Sequence, residues 1–238
     1  MTSLWHEISR MYEQETGVRI EVVVTGPRPG LAEAMRSGQV DLLTMHSGDI
    51  TTDLVADGYA KNLRPWTRND LVIVGPSSDP AGVRGLASGA EALQRIAAAN
   101  ANFVDHKSIG AREVSHKLWK QAGVDPTGPW VLQDASGDHL EILSFAASNQ
   151  AYVIVGRVPV IYGKLRAEGM EILVDNDPAM RRPYVVMEVN PERFPDANAE
   201  GARRLADFLL SPKVQNHLAT SPRNQRGGIP LFHPVARP

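Results

Sequence analysis

No cysteine occurs among the 238 residues. Disulfides, a thiolate metal site and a cysteine nucleophile are therefore excluded, although exported and internal proteins alike can do without cysteine. No apolar run approaches the roughly 20 residues that a membrane-spanning helix needs. A basic surplus is missing as well: the formal net charge is −2, which argues against a nucleic-acid partner. None of the G-x-S-x-G, H-E-x-x-H or G-x-x-x-x-G-K-[ST] patterns is present. The seven histidines are scattered, with no pair at helical i,i+4 spacing, so neither a metal nor a cofactor is expected. These absences predict a chain that is not an enzyme. The first seventeen residues lack the basic start, apolar run and cleavage site of a signal peptide. An exported protein would be represented here in processed or trimmed form.

What is present is the balance of a folded protein, with 42% apolar and 22% charged residues. Leu4, Ile8, Met11 and Tyr12 share one face of a helix predicted over 3–15, which Gly17 ends. Strand signals follow at 18–24, 41–45, 71–74, 103–104, 130–132, 151–155, 172–174 and 184–189. Helices are expected at 31–37, 49–57, 88–99, 110–122, 138–148, 158–167, 197–210 and 212–220, before an irregular tail. Alternation of this kind implies an α/β fold with mixed, mostly parallel sheets flanked by helices. The segments 64–70 and 180–184 read as crossings between two lobes. Lobe 1 would hold 1–70 and 183–238, lobe 2 would hold 71–182, and a ligand cleft would lie between them.

Several strings then bring a family to the fore. The run Tyr12-Glu13-Gln14-Glu15-Thr16-Gly17, leading into apolar residues, resembles a segment of periplasmic binding proteins. The runs Asp57-Gly58-Tyr59, 69–76 (NDLVIVGP), 79–83 (DPAGV), 118–126 (LWKQAGVDP) and 189–192 (VNPE) resemble the tungstate-binding proteins of ABC transporters. So do Leu209-Leu210-Ser211-Pro212 and Pro230-Leu231-Phe232. The likeness runs in order along nearly the whole chain. It implies a two-lobed type II periplasmic-binding fold that holds a small oxyanion by hydroxyls, backbone N–H groups and an arginine. It also implies a periplasmic or extracytoplasmic location, delivery to a membrane permease and no membrane insertion. The chain departs from the family in its loops: Asp-Ser-Gly-Thr-His becomes 107–112 (KSIGAR), and Thr-Asp-Arg becomes Val155-Gly156-Arg157. An organic anion, or the role of a regulator's sensory effector domain, is the alternative.

An oxyanion site calls for helix N-termini, hydroxyls and forked cations. Thr2 and Ser3 open the first helix. Ser108 and Gly110 open another, with Arg112 in its first turn, where a cation is adverse to the helix unless an anion joins it. Ser136 precedes the helix at 138–148. At each of these starts the bland alternative is helix capping. Arg157 follows a buried strand, and strand carboxyl ends border ligand crevices in α/β sheets. Thr25 and Arg28 sit on a Pro/Gly loop, and Ser47 ends a strand beside His46. The alternative for Arg157 is a solvated or interlobe salt bridge, and a loop arginine such as Arg28 is more often simply solvated.

Overall fold

Helical spacing at the start of the chain is realised in α1 (Thr2–Thr16), where Leu4, Ile8 and Tyr12 are all buried. This computed structural model describes residues 2–235, with side chains from residue 4 onward. Two compact units divide the chain. One takes residues up to 68 and those from 183 on; the other takes 69–182. Among the described residues no helix is long and apolar enough to cross a membrane.

In the first unit, α2 (Arg28–Arg36), β1 (Leu42–His46) and α3 (Asp49–Ala56) follow α1, and β2 (Ala60–Pro76) begins. The expected strand at 18–24 takes no regular secondary structure and joins no ladder among the described residues. Its pattern suits a strand, yet a strand exists only against a partner. Val18, Val22 and Val23 are instead exposed, at 46%, 52% and 56%.

The second unit continues with α4 (Gly89–Ala98), β3 (Phe103–Asp105), α5 (Ile109–Ala122), β4 (Val131–Gln133), α6 (Ile142–Ser148), β5 (Tyr152–Gly156), α7 (Arg157–Ile161) and β6 (Met170–Val174). Then β7 (Arg181–Val189) carries the chain back to the first unit. There α8 (Ala199–Leu210), α9 (Pro212–Thr220) and the short β8 (Gln225–Arg226), β9 (Ile229–Pro230) and β10 (His233–Pro234) complete it. In that unit β1 pairs antiparallel with β7, and β10 pairs with β2. Its core gathers Met35, Leu43, Met45, Leu54, Val185, Met187 and Val189.

The second unit shows why its strands read as unbroken apolar runs. Leu71, Ile73, Tyr152 and Ile154 pack on one sheet face with α4 and α5 residues such as Leu93, Ile96, Leu118 and Trp119. The alternating Val72, Val74, Val153 and Val155 pack on the other face with Ile142, Leu143 and Ala146 of α6. A sheet covered on both faces needs apolar residues at every position.

The sheets are mixed, as expected, but the expected parallel majority is not there. Among the described ladders only β3–β4 and β3–β5 run parallel. The helical crossovers α5 and α6 join just those three strands, and parallel pairing needs such crossovers. Strand β2 runs antiparallel to both β5 and β6. The helix expected over 158–167 stops at Ile161, with Gly163 beyond it at φ +68°. A left-handed glycine there terminates the turn. The helix expected over 138–148 splits into a 3-10 turn at His139–Glu141 and α6; the Asp138 carboxylate accepts from Leu140 N–H at 3.0 Å and caps that turn.

Candidate functional site

Parallel pairing of β3 with β4 and β5 places their carboxyl ends along one edge of the second unit's sheet. Since β2 opposes both β5 and β6, the carboxyl end of β6 joins that edge. The loops after those strands, where ligands gather in open α/β sheets, therefore lie together. They carry residues 106–108, 134–138, Arg157 and 175–182.

The loop after β3 is tied to the loop after β4. His106 Nδ1 lies 2.7 Å from Asp134 Oδ2, and Lys107 N–H donates to the same oxygen at 3.0 Å. The Ser136 N–H and hydroxyl donate to Asp134 Oδ1, while Lys107 Nζ donates to the Ser136 carbonyl. Burial pulls the Asp134 carboxyl upward, but the bonds from Ser136, His106 and Lys107 outweigh it and hold it far below the carboxylate range. Burial also pushes the His106 imidazole below its ordinary 6.5, against the upward pull of Asp134. The pair is thus a neutral imidazole whose Nδ1–H donates to a carboxylate. Ser136, at 5% exposure, has its hydroxyl spent on this tie.

That junction sets the start of α5. Ser108 is the residue before the helix, yet its hydroxyl makes no cap bond, so the capping alternative does not account for it. Ile109 is 63% exposed and Gly110 is buried. Arg112 donates from Nε to Asp105 at 3.3 Å, a half-exposed pair.

One cation that the sequence did not single out lies over this helix start. A Cβ built on Gly110 would come within 1.9 Å of Arg182 Nη1 and 2.4 Å of its Cζ. The guanidinium therefore rests directly on the backbone of the first turn. Its position is built from below. Asp177 caps the 3-10 turn Pro178–Met180 and accepts from Gly89 N–H at 2.7 Å. Met180 is fully buried in the core beside Leu118. At the start of β7, Arg181 then pairs with buried Asp70 at 3.1 Å, and Arg182 with Glu113 of α5 at 3.2 Å. The sequence signal was the Arg-Arg-Pro string, read there only as a crossing.

The two most buried arginines of this unit differ in how tightly they are held. Arg157 Nε meets Asp175 at 2.8 Å, with side-chain exposures of 4% and 23%. Breaking a pair so buried costs about 3 kcal/mol or more. Arg182 is 10% exposed but its partner Glu113 is 47% exposed. A pair with one end in water is worth only about 0–1 kcal/mol, so the Arg182–Glu113 pair parts more readily than the Arg157–Asp175 pair.

In the first unit, Arg28 Nη1 donates to the Ser47 carbonyl at 3.3 Å. His46 stacks on Tyr184 with centroids 3.9 Å apart. Thr25 is exposed on the preceding loop. The side chains of Thr2 and Ser3 lie outside the described residues. The expected residues thus fall into two sets, Arg28 with Ser47, and Ser108, Gly110 and Arg112 with the Ser136 loop. Arg157 shares the second edge but is committed to Asp175. Among the described residues no group of three His, Asp or Glu side chains suits a metal ion.

Residues 1–221 match the family described as bacterial extracellular solute-binding protein. A Haloferax volcanii protein named for anion binding in an ABC transporter is 30% identical over 99% of this chain and 69% of its own length. The tungstate-binding protein of Peptoclostridium acidaminophilum is 28% identical over 94% of this chain and 78% of its length. The solved structure of the tungstate-binding protein from Desulfovibrio alaskensis superposes with a TM-score of 0.78 at 26% identity, covering 99% of this chain and 94% of that one. The fold is that of the type II periplasmic-binding proteins.

Proposed function

Because this chain belongs to the bacterial extracellular solute-binding protein family, we propose that it captures a small oxyanion of the tungstate and molybdate type and delivers it to the membrane permease of an ABC transporter. The observation that carries the ligand class is the Arg182 guanidinium lying on Gly110 at the start of α5. A cation there opposes the helix dipole by about 0.3–1 kcal/mol. An oxyanion between them reverses the sign of that term, accepting from backbone N–H groups, from Ser108 and from the guanidinium fork. Arg112, half-exposed in the same turn, adds positive potential. Within the first unit taken by itself, Arg28 and Ser47 are proposed as anion contacts, and Arg157 of the second unit is proposed to hold the loops rather than the ligand. Nothing in this chemistry makes or breaks a covalent bond, and the place of work is periplasmic or extracytoplasmic. The names of the anion- and tungstate-binding relatives support the same reading.

Isothermal titration calorimetry with tungstate, molybdate and sulfate tests it. Saturable heat at one equivalent of tungstate or molybdate is expected. Absence of heat with all three would sink the reading.

A further inference from the structure

We propose that Glu113 competes with the oxyanion for the Arg182 guanidinium, so that capture is an exchange of one anion for another. This rests on the reading that the edge beside α5 holds the ligand. Gly110 and Glu113 are three residues apart on one helix, and therefore share a face. A guanidinium laid over the glycine meets the carboxylate one turn further on, and it does so at 3.2 Å. The two partners are unequal. Arg182 is pinned by its place at the head of β7 and is 10% exposed, while the Glu113 side chain is 47% exposed. The carboxylate can swing into water at little loss, whereas the backbone that carries the cation is fixed at the head of β7.

The arrangement has a chemical purpose. A buried guanidinium lying against the first turn of a helix is electrostatically unfavourable. Glu113 relieves it, and because the relief comes from an exposed side chain it is weak enough to be displaced. A doubly charged oxyanion that also accepts from the α5 N–H groups out-competes a single carboxylate 3.2 Å from the guanidinium. A weak monoanion does not. Glu113 therefore lowers affinity for every anion, and acts as a threshold that only a strong ligand passes.

The test is tungstate titration of the wild-type protein, Glu113→Gln, Arg182→Gln and the double variant. Glu113→Gln keeps the shape and removes the competing charge. It is expected to bind about three- to fivefold more tightly, the scale of a half-exposed ion pair. In the Arg182→Gln background the same change should leave affinity unaltered, which separates competition at the guanidinium from a general gain in positive potential. Wild-type binding with no tightening in Glu113→Gln overturns this inference and leaves the proposed function standing. Equal tightening in both backgrounds overturns it too. If the wild-type protein binds no oxyanion, both readings fall.

Discussion

At the scale of single residues, the absent Cβ of Gly110 is what lets Arg182 approach α5. Gly110→Ala is therefore expected to separate stability from binding. Alanine favours a helix over glycine by about 0.5–1 kcal/mol, and the displaced atoms are the movable end of an arginine. The melting temperature should stay close to wild type. Tungstate affinity should fall about tenfold or more, the equivalent of one hydrogen bond to a charged group. Calorimetry alongside a thermal melt checks both. Sequence reading reached Ser108, Gly110 and Arg112, because helix starts advertise themselves through glycine, serine and a change of period. It could not reach the contact of Arg182 with Gly110, because the two lie seventy-two positions apart and only the packing of Met180 and the Asp177 cap brings them together.

Among elements, the loops following β3 and β4 behave as one piece because of the His106–Asp134 bond. Both groups have folded-state values below their ordinary ones. For His106 the unfolded chain takes up its proton first as pH falls below about 6.5, so the stability it contributes is full above that value and declines below it. Asp134 adds a second loss only under strongly acid conditions, beneath 3.8. His106→Asn is expected to flatten the fall in melting temperature below pH 6.5. A thermal-shift series in matched buffers reads this, and an unchanged slope would refute it. Elements were legible where their hydrophobic period was complete, as in α1, α4 and the strands of the second unit. The segment 18–24 was not. Its valines satisfy the strand pattern, but pairing is a property of the neighbour and not of the segment. The mixed direction of the sheets escaped for a similar reason, since alternation of β and α elements does not say on which side each chain returns.

For the whole molecule, three hydrophobic clusters among the described residues each stay within one unit. The clusters around Leu93 and Trp119 and around Val153 and Ile142 draw only on residues between 71 and 180. The cluster around Met35 and Met187 draws only on the first unit. The second unit is also continuous in sequence. Residues 69–182 expressed alone should therefore fold cooperatively, with a single melting transition in circular dichroism. A sloping, non-cooperative melt would contradict this. The net charge of −2 gives the molecule no long-range pull on anions, so recognition has to come from a few local cations held against helix N–H groups. Function at this scale was legible through ordered family strings, while the positions of the cations were not.

The exposure of Ile109 has a practical consequence. It stands at the first position of α5, 63% open to solvent and next to the glycine under Arg182, in a chain with no thiol of its own. Ile109→Cys would create a unique attachment point for an environment-sensitive dye, making the protein an optical reporter of oxyanion concentration.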